Sequence, residues 1–476
     1  MYIIKSFLPE FYLSLSSLFL FLFNSLFLKK HTHQFFLWLI NLIIGALIFW
    51  ISSSYTNYQI NFFYNDILHL NFRLIIFLFG IILYFSLKDT LANITKINEF
   101  SVLFSFTVLF SSLISATSNL LIAFLLIETL SLTLYVLVSF YKRNSLSLEA
   151  GIKYYLLGTL SSLFFFLGLF FIYYVSFEFS LFKIFEKLDQ KNYFLYFGFI
   201  LIFIGVTFKL GGVPFHFWLP EVYQGSPLIV FPQLIVISKI SFVLFLANLI
   251  YPFIHYETKN YLNLNIFQNF FFIISLLSMA IGNFLAIKQK EVKRLLAYSS
   301  IAHIGYLYSL LAIPWYSNII TIFLGYIFIY SLTLIGLLLI LLQILDKELI
   351  KIKLSSLESL LKDKNFIFLI SFLIYTISLA GLPPTAGFLV KLLVLLELIK
   401  NAYYFLALIF LLTSVLSIYY YFKLAHPVLK LLKQRAYELK FKKMNFFEIT
   451  LTTIILLISL YILFSTFNPK YIFFFE

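Results

Sequence analysis

Long apolar runs follow one another along the chain, separated by short polar or basic stretches. Most are close to the roughly 20 residues that carry a helix across a bilayer. Fourteen such runs are read, from residues 7–28 to residues 446–466, and they predict an all-α polytopic membrane protein. Two of them are interrupted. The seventh, residues 193–217, contains Phe208-Lys-Leu-Gly-Gly-Val-Pro-Phe-His-Phe-Trp218. The twelfth, residues 366–400, is too long for one straight helix and contains Gly381-Leu-Pro-Pro384. Glycine and proline free backbone groups at membrane depth, which only protein or a wet cavity can receive. Both runs are therefore predicted as broken helices. They lie five runs apart, each with a lysine beside its break. An odd offset reverses the direction of crossing, so the pattern predicts inverted repeats with ion sites at the discontinuities.

Composition sharpens the class. Hydrophobic residues make up 62% of the 476, charged residues 11%, and mean hydropathy is +0.99, against an apolar share of roughly 45–50% in soluble domains. The net charge of +14 would suggest nucleic-acid binding in a soluble chain. Here the basic residues lie between apolar runs and read as topology signals. Of 34 lysines and arginines, 22 follow odd-numbered runs, and eight, Arg73 among them at the edge of run three, lie at the termini or after even-numbered runs. The positive-inside rule then puts odd loops in the cytoplasm or matrix and both termini on the other side. Lys5 before the first run raises a signal peptide, but Lys29 and Lys30 follow it and no small-residue cleavage site is visible, so it is read as the first helix. Residues 177–191, 346–364 and 429–443 read as interfacial amphipathic pieces or a partner-docking surface. The absence of cysteine excludes thiolate-held iron–sulfur clusters, disulfides and Cys-type zinc sites. No dinucleotide or Walker pattern is present. The 63 Phe and 33 Tyr, with abundant Ile, Asn and Lys, suggest an A+T-rich coding genome such as an organelle's.

Four basic residues remain that no loop accounts for: Lys153, Lys209, Lys239 and Lys391. An intramembrane lysine costs roughly 2.5–3.5 kcal/mol on insertion scales and marks a functional site by default. Glu128, deep in the fifth run, needs a proton or a cation, and Lys209 is its natural partner. Such a pair either switches charge as a proton moves or is a static bridge that fixes helix packing. Lys239 lies beside Ser238 and Ser241, and Lys391 follows the second break; both are read as relay members. Lys153 opens the sixth run and reads equally as a snorkelling flank. His216 follows the first break, where helical phase cannot be used. His303 lies mid-run among hydroxyl residues, as a proton-path member or a neutral packed histidine. Glu397 reads as an interfacial acid.

Three stretches carry a family resemblance: Phe208 through Trp218 continuing to Pro227, Lys293-Arg-Leu-Leu-Ala-Tyr-Ser-Ser-Ile-Ala-His-Ile-Gly-Tyr306, and Ser378-Leu-Ala-Gly-Leu-Pro-Pro-Thr-Ala-Gly-Phe388. They resemble the antiporter-like membrane subunits of respiratory complex I, NADH:ubiquinone oxidoreductase. Glu149-Ala-Gly-Ile-Lys-Tyr-Tyr-Leu-Leu-Gly-Thr-Leu-Ser-Ser162 is similar to the subunit 2 branch.

The resemblance spans runs four to thirteen and implies a proton-channel subunit. Residues 1–95 would form three N-terminal helices, 96–255 the first repeat (helices 4–8), 256–425 the inverted second repeat (helices 9–13), and 426–476 a basic amphipathic segment with the last helix. It implies that Glu128, Lys209, Lys239 and Lys391 form the proton path, with Lys153 at a further basic position. It also implies that the chain binds no cofactor, with NADH, FMN, iron–sulfur clusters and ubiquinone in partner subunits. The partners implied are other membrane-arm and accessory subunits and membrane lipids, with protons as the transported ion and no nucleic acid. The expected location is the mitochondrial inner membrane, with organelle encoding. A cation/proton antiporter subunit of the same fold and a membrane scaffold are the rival readings.

Overall fold

The computed structural model describes residues 7–27, 31–52, 62–91, 96–186, 193–256, 264–344, 353–362, 365–435 and 446–465. Among these there is no strand, only three isolated β-bridges. A helix lies on every predicted run. The first six are α1 (Leu8–Phe27), α2 (His31–Ser52), α3 (Ile67–Ser86), α4 (Ile97–Ser115), α5 (Leu120–Val138) and α6 (Ser145–Ser176). The seventh run is split into α7a (Tyr193–Leu210) and a short α7b (Trp218–Gly225). A π turn, Gln233–Ile237, leads into α8 (Ser238–Tyr256). Next come α9 (Asn265–Lys288), α10 (Val292–Leu311) and α11 (Ser317–Ile344). The split pair α12a (Phe366–Ala380) and α12b (Ala386–Lys400) precedes α13 (Tyr404–Arg435) and α14 (Phe446–Phe464). Eleven of the described helices are long and apolar enough to cross a membrane.

Both breaks have a local cause. Gly211 takes φ +83° and Gly381 φ +78°, a left-handed conformation that only glycine adopts freely. The Gly381 N–H returns to the carbonyls of Ile377 and Ser378, and Leu382 N–H to Ile377, closing α12a as a helix C-cap. After Gly211, the Val213 N–H donates to Ser278 Oγ at 2.9 Å, so a side chain receives a backbone group that the broken helix leaves over.

One run is longer than expected. The thirteenth does not end near 425 but continues as one helix through Pro427 to Arg435, taking up the start of the basic segment. The rest of that segment, residues 436–443, lies outside the described residues, as do 187–191, 346–352 and 363–364 of the other two amphipathic pieces.

The chain forms two compact units. One comprises Met1–Leu210 and Gly225–Leu264, the other Gly211–Gln224 and Asn265–Phe474. In the first, α6 and α7a touch backbone to backbone. A Cβ on Gly168 would stand 2.7 Å from the Gly198 carbonyl, and one on Gly205 3.1 Å from that of Ser161. Small residues at such a seam let helices associate where water supplies no hydrophobic drive. This crossing sets the height and rotation of α7a, which carries Lys209.

The three N-terminal helices are tied in by a charge pair that the loop-based reading placed elsewhere. Arg73, counted there as an edge residue, is fully buried. Its Nη2 and Nε donate to Glu10 Oε1 at 2.6 and 3.0 Å, joining α3 to α1. Its guanidinium lies 4.7 and 4.8 Å from the ring centroids of Phe7 and Phe49.

In the second unit α9 and α10 repeat the close seam. A Cβ on Gly282 would meet Ala302 N at 2.6 Å, and one on Gly305 Met279 N at 2.6 Å. Lys293, counted among loop cations, is 1% exposed in the first turn of α10.

Gly198→Leu is expected to force α6 and α7a apart, with an overpacking cost of at least about 1–3 kcal/mol. Thermal-aggregation assays of the solubilised protein should show a lowered midpoint; an unchanged midpoint contradicts the seam.

Candidate functional site

Each unit holds a buried lysine beside a small cavity. In the first, α5, α6, α7a and α8 converge on a space on the scale of a single water, lined among others by Glu128, Ser161, Ser162, Gly205 and Lys209. Lys209 Nζ donates to Ser131 Oγ at 3.1 Å and to Tyr135 OH at 3.2 Å. Ser131 gives its own hydrogen to the Ile127 carbonyl, leaving its lone pair for the lysine. Glu128 Oε1 is buried with no hydrogen-bond partner among the described residues. Among the described residues no ion pair joins it to Lys209, so the direct bridge expected from the sequence is absent. The reason is positional: Ser131 and Tyr135 stand one and two turns beyond Glu128 on α5, and they take the ammonium. Glu128 and Lys209 instead line one cavity.

Tyr135 is held in turn. Its ring meets those of Tyr154 and Tyr155 edge-on at 4.7 and 5.7 Å, and a Cβ on Gly158 would fall 1.9 Å from its hydroxyl. Gly158 therefore leaves the space in which the lysine's acceptor sits.

Lys239 is 2% exposed in the first turn of α8, next to the π turn. Such turns reposition side chains within a helix and recur at functional sites. On the same turn, Gln233 is fully buried, and neither amide atom has a hydrogen-bond partner among the described residues.

In the second unit the cavity is lined among others by His303, Tyr326, Tyr330, Thr333, Ser378 and Lys391. Lys391 Nζ donates to the carbonyls of Ala380 (2.8 Å) and Leu379 (3.2 Å) and to Ser417 Oγ (3.3 Å). It lies 5.3 Å from the Tyr306 ring centroid. The lysine of α12b thus covers the open C-terminal carbonyls of α12a, where a cation is also favoured by the helix dipole. His303 shares hydrogen bonds with Tyr326 OH (2.8 Å) and Tyr421 OH (3.2 Å), with the Tyr330 ring at 4.5 Å. Asn283 Nδ2 donates to Tyr306 OH, and Tyr420 OH donates to Asn283 Oδ1, each at 3.1 Å.

A model of the NADH:quinone oxidoreductase/Mrp antiporter transmembrane family matches residues 116–417, the stretch that contains both cavities. The chain belongs to this family. It is 34% identical over 327 residues, 68% of this chain and 69% of the relative, to NADH-quinone oxidoreductase subunit N 2 of Thermodesulfovibrio yellowstonii. Its structure is similar to a chain of respiratory complex I from Thermus thermophilus with bound aureothin, with a TM-score of 0.78, 25% identity and 97% of each chain covered. A chain of the Mrp complex from Dietzia shares the fold alone, at TM-score 0.78 and 13% identity, over 98% of this chain and 95% of that one.

Within this antiporter-like subunit the remaining predicted residues lie apart from the cavities. Lys153 pairs with Glu149 at 2.6 Å on the outward side of α6, its side chain 40% exposed, so the flank reading fits it. His216 is buried against Phe217 and lines neither cavity. Glu397 is buried, bonded to Lys400 at 2.7 Å and to Tyr316. Burial, and then the Glu397 carboxylate, push the Tyr316 hydroxyl above its usual range.

Gly381→Ala puts a side chain in the left-handed region, costing about 1–2 kcal/mol, and sets its Cβ 2.5 Å from Lys391 Cδ. The expected result is a complex that assembles but loses most of its proton translocation, measured by a pH-sensitive dye in membrane vesicles. Wild-type translocation would show that the Lys391 position is unimportant.

Proposed function

We propose that the chain is a core membrane-arm subunit of a proton-translocating NADH:quinone oxidoreductase. In this reading it moves protons through buried charged residues while electrons pass through redox groups in partner subunits. The observation that carries it is the first cavity, where a buried lysine held by two hydroxyls faces a carboxylate with an unused oxygen. A neutral amine has two N–H donors and an ammonium three. The two acceptors at Lys209 match the neutral form, and the charge of Glu128 favours the other. The site therefore suits a group that changes charge when a proton moves nearby. Lys239, buried on α8, is the next carrier in this scheme. Lys391, with three acceptors for three donors, is a place where a proton is held as ammonium before release.

The name of the bacterial relative and the complex I likeness support NADH and quinone as the substrates of the whole assembly. Other membrane-arm subunits, accessory subunits and lipids are its expected neighbours. The A+T-rich coding signature supports organelle encoding and with it a mitochondrial inner-membrane location, and the excess of Lys and Arg after odd-numbered runs supports termini facing the intermembrane space.

Lys239→Met in an assembled, NADH-oxidising complex tests the relay. Loss of a proton-transfer group predicts a fall of roughly 100-fold in NADH-driven pumping; pumping at the wild-type rate sinks the relay and leaves the scaffold reading. Sodium-dependent transport by a complex that does not oxidise NADH would favour the antiporter reading.

A further inference from the structure

A second polar cluster lies in the first unit, at the end where α3 begins and α4 and α8 end, opposite the basic loops. Asn248 of α8 donates from Nδ2 to the carbonyls of Ser115 (3.0 Å) and Thr117 (3.3 Å) at the end of α4. Those two bonds fix the amide, so Oδ1 is the atom that faces His69 Nε2 at 2.8 Å. An amide oxygen only accepts, so Nε2 carries the imidazole hydrogen and Nδ1 keeps the basic lone pair. That Nδ1 is buried with no hydrogen-bond partner among the described residues. The Tyr64 ring stacks on the imidazole at 5.0 Å, and its hydroxyl is likewise buried without a partner. His69 is half-buried, but a buried ring nitrogen with its lone pair unused costs stability, and that lone pair is where a proton binds.

The charged groups around it act in opposite directions, Asp66 favouring a proton and Arg73 opposing one. At the start of α3 the facing groups are Asp66, the residue before the helix, and within it Arg73, four residues after His69. From α1 comes Glu10, bound to Arg73, and from α8 Tyr251, edge-on to Tyr64. The end of α4 presents carbonyls and Ser112, which bonds to Glu10. One guanidinium against two carboxylates leaves a single negative charge that an imidazolium would balance.

We propose that His69 is a proton-carrying residue of this subunit, which binds a proton at Nδ1 and releases it to water on the face opposite the basic loops. The proton enters on Nδ1, giving an imidazolium whose Nε2–H remains on Asn248, and leaves from the same nitrogen. Between Lys239 and His69, α4 packs against the Lys239-bearing α8 and buries the hydroxyls of Ser105, Thr107, Ser111 and Ser115, each bonded to a carbonyl of its own helix. The inference rests on the proton-path reading above. The competing role is structural, a staple joining α3 to α4 and α8.

The test uses the assembled NADH-oxidising complex in native membrane vesicles, with Lys239→Met in parallel. His69→Gln keeps an N–H toward Asn248 and removes the basic nitrogen. Pumping per assembled complex is expected to fall roughly tenfold or more. Asp66→Asn removes a carboxylate that favours the imidazolium, at a position that makes no side-chain cap hydrogen bond. Release should then continue to lower pH on the outer face, with the acid limb of the pumping profile displaced downward by about half a unit or more. Wild-type pumping in His69→Gln, or an unmoved profile in Asp66→Asn, overturns the proposal, and the second measurement decides if the first variant does not assemble. If Lys239→Met pumps normally, the proton-path reading itself fails. If Lys239→Met is inactive and His69→Gln is normal, only His69 is dismissed.

Discussion

A helix that stops inside an apolar layer leaves carbonyl groups that no solvent will take, and much of this structure answers that constraint. At the second break the answer is a charged side chain: Lys391 of α12b donates to the last carbonyls of α12a. Gly381 permits the turn, and the absence of its side chain leaves room for the lysine. At the first break the backbone is served by Ser278, and Lys209, one residue before the end of α7a, is free to turn toward α5. The two breaks share a left-handed glycine and a neighbouring lysine. They differ in what the lysine satisfies, backbone in one case and hydroxyls in the other.

That difference bears on chemistry. A lysine bonded to carbonyls at a helix C-terminus donates to groups that the helix end leaves open, where the helix dipole favours a cation. A lysine bonded to two hydroxyls, with a carboxylate across a water-sized space, has weaker ties and a partner whose charge acts through space. The tyrosine and serine hydroxyls around both lysines accept or donate as needed, which suits sites whose charge changes. Cystine and thiolate chemistry have no part in this reading, because the chain has no cysteine and relies on lysine, glutamate, histidine and tyrosine.

The helices, the two broken runs and the buried positions of Lys209, Lys239 and Lys391 were legible in the sequence. Run length, Gly-Pro punctuation and the cost of a membrane lysine are properties of short stretches. Partnerships were less legible because they depend on rotation and height. Glu128 and Lys209 were expected to touch; Ser131 and Tyr135, further along the same face of α5, intervene. Arg73 and Lys293 were read as loop-edge cations because each lies within two turns of a helix start, where exposure and burial have the same sequence signature. Arg73 is matched by Glu10 from a helix 63 residues earlier, which no local pattern announces. Gly158 and Gly168 look alike in the chain, yet one makes room for a hydroxyl and the other for a backbone. Lys153 was ambiguous from its place at the start of a run, and the structure places it in a part-exposed pair with Glu149 on α6.

The central claim is that Glu128 and Lys209 act as one unit across their shared cavity although they do not touch. The direct measurement is a double-mutant cycle on NADH-driven proton pumping, comparing Glu128→Gln, Lys209→Met and the double variant in assembled complexes. Residues that act as a unit are non-additive, so the double variant should pump no more slowly than the worse single one. Losses that multiply, with the double variant slowed by the product of the two single effects, would contradict the account.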